Sequence, residues 1–318
     1  MGQQHSKFEF NYGTHETAES QNETDHKTAQ EKCPKPHDKQ FEISKFSIND
    51  LPEDYQEENL FQLIKQMVKL TVQIVVNYSS ENRSDFWQNT ETRYPGSECK
   101  GQDSLLRGSG RIADIYKNEE AKRCMCSDCI NKENAEKETW TIIAVTATHV
   151  VFDESEANKS NCKLYYDSED GRCTQINYCK LRWAHTLGDL CFVECVTCNE
   201  NLAKEIWENI QQFNELWKTI REEYKTNTRK YNSNRLVVIV SHPHCGPKKI
   251  SIGHLKEKNK SELNIQKGYQ LVYDTPTCKG SSGAPVYLYG QNWFRVEYVH
   301  SGGARDPKFN HSTTWCPK

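Results

Sequence analysis

From Val72 onward the chain breaks into short β-branched and aromatic runs separated by polar turns, and no other feature limits its fold so tightly. VQIVVNYS, SGRIADIY, WTIIAVTATHVVF, CKLYYD, QINYCKLRWAH and DLCFVEC come first. After a helical interruption come RLVVIVSHP, KKISIGHL, YQLVYDT, APVYLY and WFRVEYVHSGG. Many short strands at this spacing predict an all-β sandwich or barrel. The interruption, NLAKEIWENIQQFNELWKTIREEYK, repeats Ile206, Ile210, Phe213, Trp217 and Ile220 at helical spacing. It reads as a connector between two β-barrels, its apolar stripe turned to the core.

Upstream, SINDLPEDYQEENLFQLIKQMVKL offers Asn49 or Asp50 as a cap, Pro52 near the start, and Leu60, Ile64 and Met67 or Val68 on one face. A docking helix is expected there. Residues 1–45 are polar, without apolar periodicity, and read as a disordered leader. The expected order is leader 1–45, docking helix 46–70, first barrel 71–200, connecting helix 201–232 and second barrel 233–318.

A net charge of −3 gives no argument for a nucleic-acid partner. No apolar run approaches the length of a membrane span, and the N-terminus lacks a signal-peptide core. A cytoplasmic location is therefore expected, with the fourteen cysteines as reduced thiols. MGQQHSK places Gly2 and Ser6 as N-myristoylation requires, and a single acyl chain would give weak, reversible membrane association. A chance Met-Gly start competes with that reading. The oligomeric state is not set by the sequence.

The chemistry is raised by CKGSSGAPVY, residues 278–287. Gly-x-Ser-Gly-x-Pro makes a sharp turn that exposes one hydroxyl and aligns several backbone N–H groups. A serine nucleophile also needs a neutral imidazole within reach and a buried carboxylate to fix the imidazole tautomer. IIAVTATHVVFD offers His149 after a buried-looking strand, and HTLGDLCFVEC offers Asp189 at the head of another. His185 competes as base but lacks the small-residue setting of TATH.

Taken together, GSGRI (108–112), TATH (146–149), GDL (188–190), GSSGAP (280–285) and VHSGG (299–303) resemble the trypsin-like serine peptidases, in particular the HtrA and glutamyl endopeptidase types. The resemblance runs from about Leu70 to the C-terminus. It implies two six-stranded antiparallel barrels of chymotrypsin type, with an N-terminal and an inter-barrel helix. It implies His149 as general base, Asp189 as its orienter, Ser282 as nucleophile, and the N–H groups of Gly280 and Ser282 as oxyanion hole. Ser281 replaces the Asp of digestive trypsins, so activation by a new N-terminus is not expected.

Peptide or protein substrates are implied, pairing as an added strand with Ser301, Gly302 and Gly303. Pro276 stands where trypsin has Asp, which argues against a basic preference. Thr277 and His300 resemble the Thr and His pair with which glutamyl endopeptidases and picornavirus 3C-type proteases hold Glu or Gln. Against this, His300 could simply fill a pocket wall. An inactive barrel used as a membrane-recruited peptide-binding scaffold is the alternative function, and the leader is a candidate self-cleavage target.

No cofactor is required by this chemistry. CMCSDC places Cys124, Cys126 and Cys129 on an expected hairpin, and Cys162 lies on a second. Such thiolates can share a structural zinc, and free thiols are the competing reading. Cys191 and Cys195, an even number apart on one strand, are expected to face the core together.

Overall fold

The computed structural model describes residues 14–16, 18–20, 26–87, 91–119, 122–123, 126, 129, 136–177, 179–226, 235–263, 266–291, 298–304 and 306–313. Gly2 and Cys124 lie outside them. Two antiparallel sheets account for nearly all the strands.

The first runs, in spatial order, Thr174–Asn177, Ser160–Leu164, Thr71–Val76, Leu105–Lys117, Trp140–Thr146, Leu190–Thr197 and Lys180–His185. Ser160–Leu164 and Leu190–Thr197 are four strand spacings apart, about 19 Å in a flat sheet. Yet Cys162 and Cys195, one on each strand, bring their sulfurs to 3.4 Å. The sheet is therefore curled on itself. Its interior holds Val72, Ile74, Ile142, Ala144, Leu190, Cys191, Val193 and Cys195, with every residue of Thr71–Val76 buried. The shared face expected of Cys191 and Cys195 is the one found.

The second sheet runs His300–Gly303, Asn310–Ser312, Gln266–Tyr273, Lys249–Leu263, Leu236–Ser241 and Val286–Leu288. Its two ends meet: Val286 N–H donates to the Tyr298 carbonyl and His300 N–H to that of Ala284. This joins the ends along Ala284–Val286 and Tyr298–His300 and leaves Gly302 and Gly303 as an edge. Val237, Ile239, Leu271, Tyr273, Val286, Leu288 and Tyr298 fill the interior. The second barrel has the expected six strands of its own and the first has seven among the described residues.

The connecting helix, Glu200–Thr226, buries Ile206, Ile210, Phe213, Trp217 and Ile220, the stripe read from the sequence. It packs against helix Glu58–Leu70, joined by Gln66 to Gln212 and Asn59 to Glu223. The docking helix starts later than its cap candidates suggest. Leu51 is extended (ψ 145°), as a residue before proline prefers, and only short 3-10 turns, Ile48–Asp50 and Glu53–Tyr55, precede Glu58. Among the described residues no helix is long and apolar enough to cross a membrane.

The leader corrects the expectation of disorder over 1–45. Within it, Thr14–His15 adds to the second sheet on His300–Gly303, and Ala18–Ser20 adds to the first on Leu105–Arg107. A helix spans His26–Glu31, and Gln40–Glu42 pairs with Lys249–Ser251. These segments are too short and polar to be stable alone; edges of the two barrels supply their partners.

Candidate active site

His149 and Asp189 come from the first barrel and Ser282 from the second. His149 follows Trp140–Thr146 and is fully buried. Asp189 occupies a left-handed position (φ 54°) after a 3-10 turn and leads into Leu190–Thr197. Its carboxylate accepts from His149 Nδ1 at 2.8 Å and from the His149 backbone N–H at 3.0 Å. Two bonds to one residue fix both the ring and the chain that carries it.

The Ser282 turn is a backbone device. A Cβ on Gly280 (φ +96°) would lie 2.4 Å from the His242 carbonyl oxygen; one on Gly283 (φ +85°) would lie 2.1 Å from Thr146 Oγ1. Only glycine fits either place. The turn is clamped from the first barrel by GSGRI: Ser109 N–H donates to the Ser282 carbonyl at 2.7 Å and Ser109 Oγ to that of Gly280 at 2.8 Å. Ser281 bonds Ser241 Oγ at 3.0 Å, so the position is held internally.

Ser301 joins the three residues. Its Oγ donates to Asp189 Oδ2 at 2.5 Å and its carbonyl accepts from Ser282 Oγ at 3.3 Å. The sequence assigns Ser301 only to backbone pairing and misses its hydroxyl. Also missed is the support behind His149. Buried Arg83 donates to the His149 carbonyl at 3.0 Å and is paired through Nε and Nη2 with Glu156, while Trp87 stacks edge-on to the His149 ring. Neither Arg83 nor Glu156 lies in a motif that would single it out.

His185, the rival base, accepts the Gly188 N–H on Nδ1 and stacks on Trp183, so it caps the turn before Asp189. His242 and His244 lie in the expected second-barrel loop. Burial, with Lys248 adding to it, holds His242 down at about 3.

The cleft holds the chain's own leader. Thr14 pairs with Gly303 and His15 with Gly302, antiparallel, and Gly280 N–H donates to the Glu16 carbonyl oxygen at 2.5 Å. Glu16 N–H donates to Ser282 Oγ at 3.2 Å. The Glu16 side chain is 3 % exposed; Oε2 lies 2.8 Å from His300 Nε2, and Oε1 is paired with Lys35. Burial pushes the Glu16 carboxyl up, but His300 and Lys35 outweigh it and hold the group down at about 2. Burial lowers His300 against the pull of Glu16. A neutral His300 suffices, because Tyr273 OH at 2.7 Å from Nδ1 can donate there and leave Nε2–H for the carboxylate. Thr277, also buried, has no hydrogen-bond partner for Oγ1 among the described residues.

The cysteines group differently from the expectation. Cys126 and Cys129 meet Cys198, at 3.6 and 3.5 Å, whereas Cys162 lies in the first-barrel core with Cys179 and Cys195. Cys162 therefore does not complete the site of the first hairpin; its strand faces the barrel interior. A third group, Cys33, His37, His244 and Cys278, was not foreseen.

Two curled antiparallel sheets joined by a helix, with histidine and aspartate on one and a glycine-framed serine on the other, define a chymotrypsin-like fold. No family model and no curated protein matches the chain. Among solved structures it is similar to the active form of the Rv3671c protease from M. tuberculosis, at 12% identity over 81% of this chain and 82% of that one, TM-score 0.40. It is similar to Deg5 at 12% identity over 83% and 90%, TM-score 0.42, and to the HtrA-type protease AlgW with a tripeptide at 11% over 80% and 58%, TM-score 0.41.

Proposed function

We propose that the protein is a serine endopeptidase that cleaves after glutamate. The observation that carries this reading is the seating of Glu16, with its carbonyl oxygen on Gly280 N–H and its carboxylate on His300 and Lys35. Ser282 is the nucleophile, His149 the base that takes its proton, and Asp189 the acceptor that keeps Nδ1 protonated, with Ser301 positioning Asp189. Gly280 and Ser282 N–H groups stabilise the oxyanion, and Gly302 and Gly303 align the peptide as a strand. Attack requires the Ser282 hydroxyl to turn from the Ser301 carbonyl to His149 Nε2. In a buried pocket a carboxylate matched by two donors is favoured over an apolar side chain, which would leave the donors unpaired.

The test is hydrolysis of a peptide library varied at the residue before the cut, with fluorophosphonate labelling of wild type, Ser282→Ala and His149→Ala. Glutamate-selective turnover, lost together with labelling in both variants, is expected. A folded wild type that neither labels nor turns over any peptide would leave the barrels as a peptide-binding scaffold.

A further inference from the structure

We propose that Cys33, His37, His244 and Cys278 bind one zinc ion, which fastens the leader to the nucleophile loop and holds Lys35 over the specificity pocket. The four donor atoms lie within 4.8 Å of one another. Cys33 Sγ to Cys278 Sγ is 3.8 Å, His37 Nε2 to His244 Nε2 3.3 Å, and Cys278 Sγ to His37 Nε2 3.4 Å. A zinc tetrahedron with ordinary bond lengths requires about 3.8 Å between sulfurs, about 3.3 Å between nitrogens and about 3.5 Å between unlike donors. Both cysteines are free thiols. Two sulfurs and two imidazoles make a closed set, the mark of a structural site.

The surroundings fit the assignment. Gln40 Nε2 lies 3.7 Å from Cys278 Sγ, as an outer-shell donor to a thiolate would. His244 takes a left-handed backbone (φ 56°), a strained conformation for a non-glycine residue that its surroundings must hold. The other two groups fit less well: Cys162, Cys179 and Cys195 have spacings of 3.9, 3.4 and 2.7 Å, and Cys126, Cys129 and Cys198 offer three donors among the described residues.

The consequence follows from Cys-Pro-Lys-Pro-His, residues 33–37. Two prolines stiffen the loop between the two leader ligands, and Lys35 stands at its centre. Its ammonium pairs with Glu16 and lies 3.3 Å from Asn310 Oδ1. On the far side, Cys278 is four residues from Ser282, and His244 N–H bonds the Lys279 carbonyl. The metal would thus set a positive charge in a pocket wall, a part of the proposal that rests on the glutamate reading. The zinc content itself does not.

The test is zinc per chain by mass spectrometry of the full-length protein, comparing wild type, Cys33→Ser/His37→Ala and Cys126→Ser/Cys129→Ser, with melting curves to confirm folding. Loss of one zinc per chain in the first variant alone, and tetrahedral cobalt(II) absorption on metal exchange in wild type, are expected. Equal zinc in wild type and Cys33→Ser/His37→Ala overturns the site, and so does a folded wild type that takes up no zinc. Neither result touches the peptidase reading, since activity is not measured.

The pairing on both sides of Glu16 carries a second inference, which rests on the peptidase reading: we infer that the chain cleaves its own Glu16–Thr17 bond. Thr14 and His15, before the bond, pair with the second barrel and Ala18–Ser20, after it, with the first, so the two sides of the bond are held as a substrate would be. Ser282 Oγ attacks the Glu16 carbonyl carbon, its proton passing to His149 and on to the departing Thr17 nitrogen as the C–N bond breaks. Water then releases Glu16, giving a proton to His149 that returns to Ser282. Cleavage separates the barrels from residues 1–16, Gly2 included. Intact mass and N-terminal sequencing should find Thr17 first in wild type and an uncut bond in Ser282→Ala and Glu16→Ala. A wild type that stays intact while hydrolysing added glutamyl peptides overturns self-cleavage alone; one inert to both overturns the peptidase reading with it.

Discussion

Glu16 Oε2 and His300 Nε2 lie 2.8 Å apart, both buried, though they are separated by 284 residues. Tyr273 fixes the far side of the imidazole, so the ring is oriented before any acidic side chain arrives. Replacing His300 by Leu removes one donor to a buried carboxylate, about 2–3 kcal/mol. The expected result is a fall of roughly 30- to 150-fold in kcat/KM for glutamate before the cut, with little change for uncharged residues. Equal losses for all substrates would place His300 in support of the fold rather than in selection.

The docked Glu16 carboxyl is held near 2 against an ordinary value of 4.5. Its folded value is depressed, so its contribution is complete above about 4.5 and is lost as pH falls toward 2. Melting temperatures of Ser282→Ala and Ser282→Ala/Glu16→Gln, measured from pH 2 to 7, should differ by a constant amount above pH 4.5. The difference should shrink below that. A difference that grows on acidification would contradict the pairing.

Ser301 Oγ donates to Asp189, a bond to a charged group. Ser301→Ala should lower kcat about tenfold or more while leaving KM nearly unchanged, because the hydroxyl touches no substrate. A rise in KM at constant kcat would assign Ser301 to binding instead.

Arg83 and Glu156 form a fully buried pair beneath His149. Removing one partner strands a charge, so Arg83→Met should cost about 3–5 kcal/mol in urea unfolding. Arg83→Met/Glu156→Leu should recover much of that stability. Activity should stay low in the double variant, since the bond to the His149 carbonyl is gone.

Gly283→Ala asks for a Cβ 2.1 Å from Thr146 Oγ1 and 2.3 Å from the Ser109 carbonyl oxygen, at φ +85°. At least about 2 kcal/mol of destabilisation is expected by denaturant titration, with loss of Ser282 labelling.

Legibility divides along the range of the interactions. The barrel strands and the connecting helix are readable because alternation and 3.6-residue periodicity are local signals of burial. His149, Asp189 and Ser282 are readable for the same reason: each sits in a short motif whose small residues or glycines are needed nearby. Arg83 and Glu156 carry no such pattern. The proposed zinc ligands Cys33 and His37 are one sequence cluster, but His244 and Cys278 are over 200 residues away, whereas Cys124, Cys126 and Cys129 stand out in the sequence by proximity alone.

The sequence by itself determined the two-barrel plan, the order of the three catalytic candidates and the glycines of the nucleophile turn, because hydrophobic periodicity and backbone sterics act within a few residues. Tertiary structure alone decided the leader. Thr14–His15 and Ala18–Ser20 have no strand signal of their own; their backbone groups are satisfied by strands that are in place only once both sheets have formed. The same tertiary pairing seats Glu16 between His300 and Lys35, where a buried carboxylate is tolerated only because donors from distant segments meet it.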